Sequence, residues 1–347
     1  MTYTVTIEST GHSFTVEPGE SILDAALRQG IILPYGCRNG ACGSCLGKLA
    51  SGQVVYPAGL PPALDEADAD DHKALFCQAR PAGDLTIRVR EVDAARDIEI
   101  KALPCRVEKL EHLAHDVVRI YLKVPSSERM QFLAGQYIDV LIKDHEPRAF
   151  SIANAPHDDE FIELHIRFVE GGLFTDQVFH HMREKALLRI KGPLGTFYLR
   201  EDSDHPAILI GGGTGFAPIK GILEHAFEVG INRPLHLFWG VRARRDLYLD
   251  ALPSAWCKTH PNFSYTPVLS DPQPDDAWSG ENGFVTDSVI RHYPDLSGHD
   301  IYMSGPPVMV KTGHDLFMKH GLDESRFFSD AFEYAAVTES IKGLQQA

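Results

Sequence analysis

Cys37-Arg-Asn-Gly-Ala-Cys42-Gly-Ser-Cys45, with a single Cys77 further along, sets four thiols in the pattern C-x4-C-x2-C…C. That spacing holds a plant-type [2Fe–2S] cluster, three thiolates coming from one loop and the fourth from a distant segment. Zinc is more often held by two adjacent cysteine pairs, so Cys37, Cys42, Cys45 and Cys77 are read as ligands to iron. Gly36, Gly40, Gly43 and Gly47 are interleaved with them. A chain wrapping an anionic inorganic core needs left-handed backbone and amide N–H groups aimed at sulfur, and glycine adopts that backbone without a steric penalty.

Outward from this loop, the N-terminal stretch reads as a small β-rich unit with one helix. Alternating runs at 3–8 and 13–17 around Gly11 predict a hairpin. Ser21 as N-cap with Asp24 three residues on, and Ile22, Ala25 and Ala26 at i, i+3, i+4, predict a helix with one buried face. The run Leu85-Thr-Ile-Arg-Val-Arg90 closes the sheet, and 92–104 reads as a polar linker. Beyond it, Val118, Ile120, Leu122 and Val124, and again Ile162, Leu164, Ile166 and Phe168, alternate with their neighbours and predict an antiparallel β-barrel. From Ala207 the pattern changes to an unbroken apolar run and a glycine loop. A helix follows with Ile219, Ile222, Leu223, Ala226 and Phe227 on one face, and strands are expected at 235–239 and 301–303, which together predict a parallel α/β sheet. The expected domains are 1–95, 103–203 and 204–336, with a loose tail after Glu333.

A net charge of −15 over 347 residues opposes nucleic acid and anionic lipid as partners. No apolar run approaches the ~20 residues of a membrane span, and the N-terminus has no signal-peptide pattern, so a cytoplasmic location is expected. Cys105 and Cys257 are left as reduced structural thiols. Asp65, Glu66, Asp68, Asp70 and Asp71 precede Cys77 and read either as an acidic rim that steers a basic redox partner or as a solvated loop. The seventeen histidines show no metal-binding spacing.

Three further motifs bear on anion binding. Gly211-Gly-Gly-Thr-Gly-Phe-Ala-Pro218 lies between a buried strand and a helix, where backbone can approach a pyrophosphate at a helix N-terminus. It is not G-x-G-x-x-G, since Phe216 or Pro218 stands in the last glycine position. Arg148-Ala-Phe-Ser151 places a guanidinium and a ring on one face of an extended chain and a hydroxyl on the other; an ordinary strand with a surface arginine would look the same. Gly171-Gly-Leu-Phe-Thr175 offers a second helix start, and Ser304-Gly-Pro-Pro307 ends a strand where α/β folds present ligands.

In this order the motifs resemble the ferredoxin-reductase superfamily, in the class with a plant-type ferredoxin domain at the N-terminus, over nearly the whole chain. The resemblance implies a β-grasp-like ferredoxin domain, a flavin-binding barrel and a nucleotide-binding α/β domain. It implies FAD rather than FMN, with Arg148, Ala149, Phe150, Ser151, His165, Ile166, Gly172, Leu173 and Thr175 at the flavin. For NADH or NADPH it implies Gly212, Gly213, Thr214, Gly215, Pro218, Gly240, Arg242, Gly305, Pro306 and Pro307, with Phe332 over the flavin ring and Ser151 and Ser304 beside the reacting atoms. The local wording around 148–156, 161–165 and 329–332 is most similar to reductases of the CDP-6-deoxy-3,4-glucoseen type, and phenol-hydroxylase and ring-dioxygenase reductases share much of it. Ser304 replaces the family's cysteine and Phe150 its commoner tyrosine.

The expectation is a monomeric oxidoreductase that takes a hydride from NADH and passes single electrons through FAD and the cluster to a dehydratase or oxygenase component. A free-flavin reductase and a non-catalytic flavin module are the alternatives. Arg242, Arg244 and Arg245 read either as a site for a 2′-phosphate or as a solvated turn.

Overall fold

The computed structural model describes residues 1–332. The expected loose tail and the last four residues of the expected third domain lie outside them.

The chain forms three main sheets. In the first, β1 (Tyr3–Ile7) pairs antiparallel with β2 (Ser13–Val16) around the Gly11 turn and parallel with β7 (Leu85–Arg88). β3 (Leu46–Ser51) and β5 (Lys73–Leu75) complete the order β2-β1-β7-β3-β5, and β4 (Val54–Val55) pairs with β6 (Arg80–Pro81) as a separate ribbon. The helix α1 (Ile22–Arg28) starts as expected, with the Ser21 hydroxyl accepting from the Asp24 N–H at 3.1 Å. A second helix was not expected: α2 (Glu66–Asp70) is a single turn made from the acidic cluster, capped by Asp65.

The second sheet has the order β11-β10-β13-β8-β9-β12, built from β8 (Lys101–His112), β9 (Val117–Lys123), β10 (Tyr137–Val140), β11 (Arg148–Ser151), β12 (Ile162–Arg167) and β13 (Leu187–Leu194). A bridge between Ile152 and Leu164 brings its two edges together, so the barrel is nearly closed. β8 starts at Lys101, inside the stretch read as linker; Leu103 is buried and pairs with Ile190, which outweighs the polar look of 92–104. The short helix α3 (Leu173–Asp176) runs into a π-helical turn at Gln177–His181.

The third sheet is parallel, with the order β17-β16-β15-β14-β18-β19. Its strands are β14 (Ala207–Gly212), β15 (Leu235–Val241), β16 (Phe263–Leu269), β17 (Glu281–Asn282), β18 (Asp300–Gly305) and β19 (Phe327–Ala331). The helices α4 (Phe216–Glu228), α5 (Ala251–Thr259), α6 (Val285–His292) and α7 (Pro307–Lys319) cover it. β14 and β18 are buried along their whole length, which is why they read as continuous apolar runs.

In β12 the alternation fails. Glu163 and His165 point away from the barrel core and are buried as well, because the third unit packs over that face.

Candidate functional site

The cysteine loop is held open by left-handed backbone at Arg38 (φ 61°), Gly40 (85°) and Gly43 (78°). The N–H groups of Cys37 and Ser44 each donate to Cys42 Sγ at 3.4 Å. A Cβ on Gly36 would stand 3.3 Å from that sulfur. The thiols face one another in two pairs, Cys37 with Cys42 and Cys45 with Cys77. Among the described residues no three of them have sulfurs within 4.8 Å of one another. A two-iron core takes one pair of thiolates on each iron, so the paired donor set fits it. The hydrogen bond with Cys42 and the surrounding amides outweigh burial and hold the Cys37 thiol down to about 7. Cys105 is buried as expected of a structural thiol, whereas Cys257 is exposed.

This loop is seated on the other two units. Tyr137 Oη on β10 donates to the Gly36 carbonyl at 2.9 Å, and Thr196 exchanges hydrogen bonds with the backbone of Tyr35. Ser44 Oγ donates to the Ser329 carbonyl at 3.0 Å on β19.

The next residue along β19 is Asp330. Its carboxylate accepts from Ser151 Oγ at 3.1 Å, which joins the Arg148–Ser151 motif on β11 to the last strand of the third sheet. Burial pushes this carboxyl up to about 6, and the Ser151 hydrogen bond opposes the shift only in part. Opposite Asp330 in the ladder lies Ser304, whose hydroxyl is buried and finds no hydrogen-bond partner among the described residues. An orphaned hydroxyl at the carboxyl end of a parallel strand fits a site where a ligand supplies the missing partner. Gly305 follows, and its carbonyl accepts the N–H of half-buried Phe332 at 3.2 Å.

Other expected residues are turned elsewhere. Arg148 donates to the carbonyls of Glu146 and Pro147, folding back on its own loop. Ala149 and Leu173 are exposed, and Phe150 packs 5.4 Å from Phe174 at the barrel core. Thr175 Oγ1 is occupied by Val169 and Gly172, so it caps its own turn. Ile166 is a core residue, and the His165 ring lies wholly buried between Glu163 and Tyr248.

The glycine loop ends β14 and passes through a 3₁₀ turn, Gly213–Gly215, before Phe216 opens α4 with Pro218 in its first turn. Part of its glycine demand is packing: a Cβ on Gly215 would lie 2.0 Å from the Ser304 carbonyl, and one on Gly212 2.6 Å from Met309 Sδ. Thr214 is buried. Pro306 and Pro307 carry the chain from β18 into α7. Beside the loop, Gly240 meets Val285 and Arg242 is exposed. Arg244 is engaged by Asp276, and the Arg242 carbonyl accepts the Asp271 N–H at 2.9 Å.

Sequence reasoning missed Asp330, on β19, and Asp271, on the connection after β16; the fold brings them beside Ser151 and Arg242, and no local spacing marks either one.

Family models match three successive stretches: a 2Fe-2S iron-sulfur cluster binding domain at 5–82, an oxidoreductase FAD-binding domain at 104–198 and an oxidoreductase NAD-binding domain at 209–315. The CDP-6-deoxy-L-threo-D-glycero-4-hexulose-3-dehydrase reductase of Yersinia pestis is 38% identical over 332 residues, covering 96% of this chain and 99% of the relative. This chain belongs to the ferredoxin-reductase superfamily, in the class that carries an N-terminal plant-type [2Fe–2S] domain. The phenol 2-monooxygenase reductase component DmpP of Pseudomonas sp. (strain CF600) is 35% identical over 97% of this chain and 96% of its own length. Among solved structures, the Amycolatopsis cytochrome P450 reductase GcoB superposes with a TM-score of 0.76 at 32% identity, over 96% of this chain and all of that one. This member of the superfamily is therefore an NAD(P)H-dependent oxidoreductase with FAD and a [2Fe–2S] cluster as its cofactors. No helix among its described residues is long and apolar enough to cross a membrane.

Proposed function

We propose that this reductase works in the cytoplasm as a monomer, takes NADH as its donor and delivers single electrons to a separate dehydratase that acts on a nucleotide sugar. FAD, when bound, divides the two electrons of a hydride for a cluster that takes one at a time. The observation that carries the reading is the hydrogen-bonded line from the cluster loop through Ser44 and Ser329 to Asp330 and Ser151. It puts the cysteines beside the strand assigned to the flavin, where electron transfer needs them.

The chain's own residues do the rest. Arg148, Ala149, Phe150 and Ser151 hold the flavin ring and phosphate, and Gly172, Leu173 and Thr175 its pyrophosphate. His165 and Ile166 contribute backbone only, since their side chains are spent on protein contacts. Gly212, Gly213, Thr214, Gly215 and Pro218 cradle the nicotinamide nucleotide, with Gly240 and Arg242 at its ribose. Gly305, Pro306 and Pro307 close the site, and Ser304 supplies a hydroxyl. The Asp330 carboxylate, protonated only below about 6, accepts from Ser151 Oγ and fixes the direction of that hydroxyl beside the flavin. Phe332 covers the ring. The units 1–95, 103–203 and 204–336 each take one cofactor, with Cys37, Cys42, Cys45 and Cys77 on iron.

The dehydratase is assigned first because the Yersinia relative is named for such a partner; DmpP is named for an oxygenase. Purified chain mixed with a CDP-hexulose dehydrase and, separately, with a phenol-hydroxylase oxygenase distinguishes them. NADH consumption coupled to product in the dehydrase mixture is expected. Coupling only to the oxygenase would reassign the acceptor. Loss of FAD on gel filtration, with free flavin then reduced, would make the chain a flavin reductase.

A further inference from the structure

Between the barrel and the parallel sheet lies a buried ion network whose charged side chains none of the cofactor assignments uses. Lys220 stands on α4 just past the glycine loop and is 5% exposed. Its ammonium donates to the Glu163 carboxylate at 3.1 Å and the Ala153 carbonyl at 3.1 Å, both in the barrel, and to Glu224 on its own helix at 3.0 Å. All three N–H donors are used, and two of them cross between the units. Glu163 in turn accepts from His165 Nε2 at 2.8 Å, and His165 Nδ1 accepts from Tyr248 Oη at 3.1 Å, the tautomer being fixed by these partners. The Tyr248 ring packs on Trp239, whose Nε1 donates to the Gly213 carbonyl at 2.9 Å. The network therefore leaves the helix at Lys220, passes through β12 and returns to the glycine loop.

We propose that Lys220 and Glu163 are positioning residues for hydride transfer, pinning the nucleotide loop at a fixed distance and angle from the strand that carries Ser151. The inference rests on the assignment of nicotinamide and flavin to those two elements. Three observations support it. The contact is backbone-close: a Cβ on Gly221 would lie 2.8 Å from the Asn154 carbonyl, so no side chain cushions the helix against the barrel. The ions are directional where apolar packing would let the two surfaces slide, and parting them would leave Lys220 only Glu224 on its own helix and Glu163 only His165 and Arg119 on the barrel. The helix is short and rigid between Lys220 and the loop, about 1.5 Å per residue, so a shift at the pin moves the loop with it. Burial alone would raise the Glu163 carboxyl, but its hydrogen bond with His165 and the nearby Lys220 charge hold it at about 2, so this carboxylate stays ionised throughout the physiological range.

The test uses the full-length holoenzyme carrying Lys220→Met together with Glu163→Gln, which removes both charges at once, and separately Glu163→Asp, which keeps both charges but retracts the carboxylate. Anaerobic single-turnover mixing with NADH reads flavin reduction, and NADH deuterated at the transferred position reads its isotope effect. A misplacement of the order of 1 Å lowers rates about 100-fold, so a fall of roughly 10- to 100-fold at saturating NADH is expected, with KM within about threefold. A larger isotope effect and a weaker long-wavelength band of the oxidised nicotinamide against reduced flavin should accompany it, with FAD and iron contents at parent levels. Flavin reduction within about twofold of the parent, with only the melting temperature lowered, would overturn the proposal and leave the pair a stabilising contact. If the double variant does not hold FAD, an unchanged rate and band in Glu163→Asp does the same. A parent enzyme that NADH does not reduce would instead sink the underlying cofactor assignment.

Discussion

The cluster loop and the crevice proposed for the flavin and nicotinamide, between the barrel and the parallel sheet, are assembled differently. Three of the four cluster ligands lie within nine consecutive residues, and the backbone that aims them is set by Arg38, Gly40 and Gly43 on the same stretch. The crevice is built from pairs that meet only through the fold: Ser151 with Asp330, Arg242 with Asp271, Lys220 with Glu163. A locally encoded site should fail completely when one ligand is lost. A site assembled across three sheets should fail by degrees.

The largest effect is therefore expected at the cluster. Cys45→Ala removes a thiolate paired with Cys77 and should abolish most of the bound iron and the visible thiolate-to-iron absorption. Flavin reduction by NADH should survive, while reduction of one-electron protein acceptors is lost. Two irons per chain in the variant, measured by metal analysis, would show that the ligand set has been misassigned.

How much could be read from sequence follows the same division. The cysteine spacing, the Ser21 cap, the glycine loop and the change from alternating to continuous apolar strands are patterns within one element, and the structure has each of them. The start of β8 was misread because its pairing with β13 is long-range. Glu163 and His165 alternate with apolar residues as a solvent face would, and only the packing of α4 and Tyr248 over β12 buries them. Asp330 lies inside 329–332, part of the wording that carries the resemblance, yet its chemistry comes from burial and from a hydroxyl 179 positions away.

Within the crevice the largest effect belongs to Arg148. Its guanidinium satisfies two carbonyls of its own loop and, in the proposed role, would exchange these for a flavin phosphate. Arg148→Ala should lose a charge-assisted contact of about 1.5–3 kcal/mol, weakening FAD binding roughly tenfold or more. An unchanged dissociation constant by fluorescence titration would remove the arginine from the site.

Asp330 tests the crevice through stability. Its carboxyl is raised by burial from an ordinary 3.8 to about 6, so between these values the folded chain keeps a proton that the unfolded chain releases. Stability should fall as pH rises through that window, by at most about 3 kcal/mol. Asp330→Asn keeps an acceptor for Ser151 and removes the titration. Thermal melts should show a flatter profile between pH 4 and 6 and a higher midpoint at pH 7 than in the parent. An identical slope in both proteins would mean that the carboxyl titrates as an exposed one.

The smallest effect expected is in the choice of donor, because two opposite charges meet there. Arg242 is exposed at the end of β15 and would attract a 2′-phosphate. Asp271 is exposed on the neighbouring connection, its N–H paired with the Arg242 carbonyl, and its carboxylate would repel that phosphate while accepting from a ribose hydroxyl. No acidic residue follows β15 at the position that would pair with a ribose hydroxyl, and Asp271, just past β16, is brought beside Arg242 only by the fold. With attraction and repulsion partly cancelling, NADH should be favoured with measurable NADPH use. Asp271→Asn should raise the NADPH-to-NADH ratio of kcat/KM by about tenfold, or ~1.4 kcal/mol, and Arg242→Ala should lower it by a smaller factor. If the parent uses NADPH more than about tenfold better than NADH, the balance lies with the arginine and the turn after β15 is a phosphate site.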